Sequence, residues 1–253
     1  MKSFEIITIL LTAGSLLSLF FYRSKGPFLY LLFLAAIAAI VQYLSDGLRW
    51  QMLAAIYILP AMFITYKYKI VNRFTGTILG AWFLISAFIP WAVPVFTMPA
   101  PEGDFSIGSE TFHWVDSSRL EWFTDENDND VREIMVQAWY PSENSDSIGT
   151  NSYMDFMNLR SKTLASAGKI PAFLPSHLNM ISTNTRNDIA CSNKLEKYPV
   201  LIFSHGITGS RHLHQILFEH LASKGYIVFA LDHSFDANLT IFPDGKIADY
   251  RSE

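Results

Sequence analysis

The fold is decided between Tyr198 and His233. The stretch opens as Tyr198-Pro-Val-Leu-Ile-Phe-Ser-His-Gly206 and closes as His220-Leu-Ala-Ser-Lys-Gly-Tyr-Ile-Val-Phe-Ala-Leu-Asp-His233. Pro199–Phe203 is a short, unbroken apolar run, which is how a strand buried on both faces reads. Ser210–Lys224 follows helical period, with Leu213, Ile216, Leu217 and Leu221 on one stripe and Ser210 as N-cap. Gly225 stops that helix, and Tyr226–Leu231 is a second buried-type strand. Strand, glycine-containing turn, helix and strand make a βαβ unit, whose strands are parallel, and this predicts the α/β class.

Upstream, Val131–Tyr140 alternates Ile134, Val136 and Ala138 against Glu133, Met135 and Gln137, a clear strand that Pro141 should end. Thr111–Val115 alternates more weakly. Asp125–Asp130 and Ser142–Thr150 read as polar loops, and Thr183–Lys197 as an irregular polar segment. Asp155 is placed to cap a helix over Phe156–Ala167 that Gly168 ends, and a second short helix is expected at Leu174–Ile181.

Before Thr97 the chemistry changes. Residues 1–100 carry a net charge of +5 and residues 101–253 one of −9, within a chain whose total is −4. Four apolar runs, Phe4–Phe21, Pro27–Leu44, Met52–Tyr66 and Thr77–Phe96, fill the first part. A membrane span needs roughly 17–20 apolar residues, which the third run, short and holding Pro60, meets least well. The first run has a signal peptide as its alternative reading, but no small-x-small cleavage pattern stands out and a second span follows at once. Arg23 and Lys25 in the first connector, and Lys67, Lys69 and Arg73 in the third, place those connectors in the cytoplasm. Four spans then put the soluble part outside. Trp82, Trp91 and Tyr66 near run ends suit interfacial positions. No ionisable residue is expected deep in any run, so an anchor is favoured over a transporter. The expected domains are a helical membrane part over residues 1–98 and an α/β part over 99–253, joined through the Pro-rich Thr97–Gly103.

Composition removes several classes. Aromatics at 15% and abundant branched residues exclude disorder for most of the chain. A single cysteine, Cys191, excludes a disulfide scaffold and sits beside no activating group except Lys194. An acidic soluble part without a basic stripe argues against nucleic acid. His205, His212, His214 and His220 lie close in sequence, but His212 and His214 diverge on a helix and no C-x-x-C or H-E-x-x-H accompanies them. No metal or cofactor is therefore expected. Asp232 and His233 are neighbours on a strand and point to opposite faces, so they read as sheet-end packing and not as an acid–base pair.

Taken with Arg132-Glu-Ile-Met-Val-Gln-Ala-Trp-Tyr-Pro141, the two segments that open and close the βαβ unit resemble the platelet-activating factor acetylhydrolase family. This is the lipoprotein-associated phospholipase A2 branch of the α/β-hydrolases. The resemblance covers roughly residues 103–253, and the membrane part is similar to the multi-span leader of some bacterial members. It implies serine-ester hydrolysis of a phospholipid or small ester at a membrane. It also implies an oxyanion hole in which the Ile207 backbone N–H is a donor, with His205 and Gly206 forming the turn. The family's nucleophile sits on a G-x-S-x-G elbow after a later strand. This sequence contains none: Gly103-Asp-Phe-Ser-Ile-Gly108 is one residue too long, and Ser204 and Ser210 sit on the wrong elements. The expectation is therefore the N-terminal part of a membrane-anchored hydrolase, an incomplete α/β-hydrolase sheet without its triad and inactive alone. A second chain supplying the missing strands is one possible partner. The alternative is a non-catalytic membrane protein whose α/β part binds a partner.

Overall fold

Alternation in one part of the chain and unbroken apolarity in the other build two compact units, Met1–Val95 and Phe96–Glu253. The computed structural model describes residues 1–21, 26–124, 129–143, 151–187 and 189–251. Arg23, Lys25, most of the Asp125–Asp130 loop and nearly all of Ser142–Thr150 lie outside the described residues.

The first unit contains α1 (Ser3–Phe21), α2 (Gly26–Asp46), α3 (Leu53–Lys67) and α4 (Arg73–Ala92). Of these, α1, α2 and α4 are long and apolar enough to cross a membrane. With 15 residues α3 is about 22 Å long against a hydrocarbon core of about 30 Å, and it carries Pro60. Leu19, Phe28, Leu32, Ile58, Met62 and Leu79 form the core. The inward face of α1 is polar: Glu5, Thr8, Thr12, Ser15 and Ser18 are buried. The hydroxyls of Thr8, Thr12 and Ser15 donate to carbonyls four residues back at 2.7–2.8 Å, which removes the cost of burying them. Small residues on α2, Ala35, Ala38 and Ala39, are buried in turn and allow close helix approach. Glu5 is an ionisable group at the edge of the first run, not deep within it. It lies at the start of α1, fully buried and ion-paired to the equally buried Arg49. The Trp82 indole N–H donates to Ala54 O at 3.1 Å and ties α4 to α3.

The second unit is built on an open mixed sheet. Its strands are β1 (Ser106–Leu120), β2 (Val131–Ser142), β3 (Thr185–Arg186), β4 (Val200–Ser204) and β5 (Ile227–His233), in the order β3-β1-β2-β5-β4. β1 and β5 flank β2 antiparallel, whereas β4 runs parallel to β5. The weak Thr111–Val115 signal is the middle of a long strand. Pro141 does not end β2: it pairs opposite Ile107, beyond the last residue paired to β5. Helices α5 (Met157–Gly168) and α6 (Gln215–Ser223) flank the sheet, and β6 (Leu239–Ile241) and β7 (Ile247–Asp249) form a separate ribbon. This is the architecture of an incomplete α/β-hydrolase sheet following apolar helices.

Helix α6 starts five residues later than its periodicity predicts, because Ser210–His214 forms turns first. The stripe it buries also differs from the expected one. Phe218 and Ala222 face the sheet, joined by Trp139, Val228 and Ala230, while Leu213, Ile216 and Leu217 are half exposed. Both stripes are apolar, and only the tertiary contact decides between them. Phe218 lies 5.0 Å from the rings of both Trp139 and Phe203. Phe218→Ala should therefore cost about 3–5 kcal/mol, read from urea unfolding of the soluble unit's tryptophan signal.

An ionic cluster fixes the β4–α6 turn to the end of β5. Asp232, fully buried, accepts the Arg211 backbone N–H at 2.7 Å and pairs with the Arg211 guanidinium. Arg211 also pairs with Asp155, which binds Arg160 Nε at 2.8 Å. Asp155 does not cap α5: the residue before the helix is Phe156, and its side chain makes no cap. Burial raises the Asp155 pKa, but Arg211 and Arg160 outweigh it and hold the carboxyl well below its ordinary value. Burial, then the same two arginines, push His212 well below its ordinary value, so it is neutral at pH 7. A histidine held neutral in the fold binds its proton more readily when unfolded. Its stabilisation is complete above the ordinary value of about 6.5 and is lost as pH falls below it. The Asp155 contribution is present above about 3.9 and is lost below it. Melting temperature measured against pH should thus decline first below pH 6.5 and again below pH 4, and His212→Gln should flatten the first decline while leaving the second.

Candidate active site

The parallel pair β4 and β5 ends at Ser204 and His233, and ligands of open α/β sheets gather outside such carboxyl ends. Ser204 pairs with Leu231 in the ladder, so His233 is its diagonal neighbour on the same face. Ser204 Oγ lies 2.7 Å from His233 Nε2. The His233 backbone N–H donates to His205 Nε2 at 3.1 Å, and His205 Nδ1–H donates to the Gly206 carbonyl at 2.8 Å. These two bonds fix the His205 tautomer, because Nε2 must be the acceptor. Burial, then His205 and Arg132, lower the pKa of His233. The three side chains form a latch at the mouth of the turn.

The turn itself is tied down on both sides. Gly209 N–H donates to Gly206 O, Thr208 N–H to Asp236 O, and Asn238 N–H to Gly209 O, each at 2.9 Å. Thr208 takes the left-handed conformation, with φ +59°. The crowded glycine is Gly209, where a Cβ would sit 2.7 Å from the His205 Cβ. At Gly206 a Cβ would meet nothing within 4 Å, so the chain's own packing does not demand a glycine there. The space beside Gly206 is open. Ile207 is 79% exposed, and among the described residues its N–H has no hydrogen-bond partner.

The other sequence candidates separate. Asp232 faces Arg211 while His233 faces Ser204, as strand alternation requires. Ser210 is no N-cap: its Oγ accepts the His212 N–H at 3.1 Å and lies 3.0 Å from His212 Nδ1. His214 packs edge-on against Phe203. Among the described residues, no group of three metal-ligating side chains occurs. Cys191 is exposed, and partial burial of its thiol raises its pKa. The Ser204–His233 contact escaped the sequence reading, although the parallel register of two adjacent strands was enough to find it.

Among the described residues, one edge of the sheet carries no further strand. β4 is an edge strand, and Val200, Leu201 and Ile202 are exposed, Ile202 by 74%. On the face away from α6, Trp114 lies 6.1 Å from Phe229 and is 46% exposed.

Residues 93–247, more than half of the chain, match the family described as platelet-activating factor acetylhydrolase, isoform II. The chain is 29% identical over 145 residues to a platelet-activating factor acetylhydrolase of Cavia porcellus, covering 54% of this chain and 29% of that protein. It is 25% identical over 182 residues to a probable 1-alkyl-2-acetylglycerophosphocholine esterase of Arthroderma benhamiae, covering 68% and 46%. The matches thus span less than half the length of these two relatives. Among solved structures, a ferulic acid esterase from Streptomyces cinnamoneus is similar with a TM-score of 0.48 and 30% identity, covering 61% of this chain and 41% of that one. An α/β unit with this turn, this register and this extended family match, following apolar helices, belongs to the platelet-activating factor acetylhydrolase family.

Proposed function

We propose that the chain is part of a membrane-anchored serine ester hydrolase, that the Ile207 N–H is a donor of its oxyanion hole, and that the substrate is an acetyl or acyl ester of a phospholipid. The observation that carries this reading is the Ile207 N–H, without a partner among the described residues, on an exposed turn pinned at both ends beside open space at Gly206. Such a preorganised donor stabilises the alkoxide that forms when a serine attacks the ester carbonyl, and one donor is worth roughly 3–4 kcal/mol. His205, Ser204 and His233 act as positioning residues for that turn. The names of the two relatives, an acetylhydrolase and an acetylglycerophosphocholine esterase, support an ester of a glycerophospholipid. Apolar helices would hold the site near such a substrate.

Residues 1–253 contain no G-x-S-x-G. The nucleophile, its base and its carboxylate therefore come, in this reading, from further polypeptide, whose strand pairs with the free edge of β4. Purified residues 1–253 should hydrolyse p-nitrophenyl acetate no faster than buffer. When the protein is isolated from its native membrane, a fluorophosphonate probe should label a serine outside these residues, and Ile207→Pro should lower kcat about a hundredfold. Absence of any labelled serine would favour the second reading, a non-catalytic membrane protein. The bare Val200–Ile202 edge and the exposed Trp114 would then be its partner-binding surface.

The proposed topology has α1, α2 and α4 spanning, with the Pro60-bearing α3 as a short fourth crossing. The connector with Lys67 and Lys69 is then cytoplasmic and the soluble unit outside. Cys191 is the chain's single cysteine and is exposed, so it reports the side directly. A membrane-impermeant maleimide should label it in intact cells at mildly alkaline pH; labelling only after lysis would place the soluble unit inside.

A further inference from the structure

A second, polar pocket lies on the α6 side of the sheet. Its volume is about 300 Å³, at the small end for a ligand site. Thr111 and Gln137, register partners on β1 and β2, form its floor. Asn151, Asp155, Asn179 and His212 line its walls. It is separate from the candidate ester site, because Ser204 and His233 lie on the opposite face of the same sheet.

Several polar groups in this pocket have no partner among the described residues. His212 is 2% exposed and its Nδ1 is engaged by Ser210 Oγ. Its Nε2 comes no closer than 3.6 Å to Asp155 Oδ1, too far for a hydrogen bond. Gln137 Nε2 donates to Ser109 Oγ at 2.9 Å, which leaves Oε1 without a donor. The Thr111 hydroxyl and the Asn179 amide are likewise unengaged. At the rim Phe156, a half-exposed aromatic, holds φ 46° and ψ 42°. A bulky residue in that region costs about 1–3 kcal/mol, and such strain gathers at ligand sites.

The charge of the walls selects among ligands. Asp155 is neutralised by Arg211 and Arg160, whose guanidinium groups are turned to carboxylates, and among the described residues no lysine or arginine lines the pocket. His212 is uncharged, as its burial beside the two arginines dictates. What remains is a set of amide, hydroxyl and imidazole groups offering donors and acceptors together, with an aromatic edge. We propose that this pocket binds a neutral, hydroxyl-rich small molecule of the polyol or monosaccharide class. An anion finds no cation to pair with, and an apolar molecule would strand the His212 and Gln137 groups without compensation.

The test uses the full chain in detergent micelles and saturation-transfer NMR. The neutral probes are glycerol, myo-inositol and methyl glucoside, and the charged comparisons are inorganic phosphate and tetramethylammonium. Asn179→Ala and Thr111→Val alter exposed positions, and an unchanged melting temperature verifies that each variant folds. At least one neutral probe should saturate, with affinity several-fold weaker in each variant, the loss expected from one hydrogen bond. Binding of glycerol or inositol alone would identify a polyol of the kind found in lipid headgroups; binding of the glucoside alone would identify a free sugar. The proposal is overturned if no neutral probe saturates, if both variants bind as the parent does, or if a charged probe binds as tightly.

Discussion

The candidate site depends on one buried ion pair. Asp232 sits fully buried at the carboxyl end of β5, and Arg211, equally buried, meets it with both backbone and guanidinium. Neither charge would be tolerated there alone, and removing one partner of such a pair typically costs about 3–5 kcal/mol. Because Arg211 immediately follows the turn after β4, the pair fixes where that turn lies against β5. Through Asp155 it also gathers the segment before α5, 56 positions earlier in the chain. The turn is tied further at Thr208 and Gly209, and among the described residues the Ile207 N–H between these ties has no hydrogen-bond partner.

What was legible in the sequence was local. The βαβ unit follows from two continuous apolar runs and a glycine stop, and β4, α6 and β5 stand there with β4 and β5 in parallel register. Strand alternation correctly separated Asp232 from His233. What was not legible required a partner distant in sequence. Periodicity marks α6 as apolar on two stripes but cannot choose Phe218 over Leu217, since the choice is made by Trp139 on another strand. Asp155 looks like a cap because caps are local, and its arginines are five and 56 positions away. The close approach within the turn falls on Gly209, whose neighbour is the folded-back His205, a contact that no local pattern announces.

The apolar unit carries its own argument about surroundings. On α1 the buried residues are Leu19 and five polar ones, Glu5, Thr8, Thr12, Ser15 and Ser18, while Leu10, Leu17 and Phe21 are exposed. In water this arrangement would be inverted, for burying hydroxyls gains nothing and exposing leucine costs. In hydrocarbon the cost of exposing leucine vanishes, and helix association is driven instead by small residues and polar contacts at the interface. The fully buried Glu5–Arg49 pair lies at the start of α1, where it closes the polar stripe. Hydropathy alone marks α1 as long and apolar enough to cross a membrane; the direction its polar face points adds an independent reason to place this unit in lipid.

The α/β unit presents the converse problem. Its sheet is covered by α6 on one face, while the β4 edge exposes Val200, Leu201 and Ile202 with no charged residue inside the strand to deter pairing. Soluble proteins protect such edges with lysine, proline or a bulge, and here the proline, Pro199, precedes the strand and leaves its ladder groups free. An edge kept both apolar and competent to pair is suited to contact and not to water. The same strand runs directly into the turn that holds Ile207. A segment pairing with β4 would therefore arrive beside the unpaired N–H and the open space at Gly206. In the proposed reading, covering the edge and closing the site would then be one event, because the apolar strand and the Ile207 N–H are consecutive in the chain.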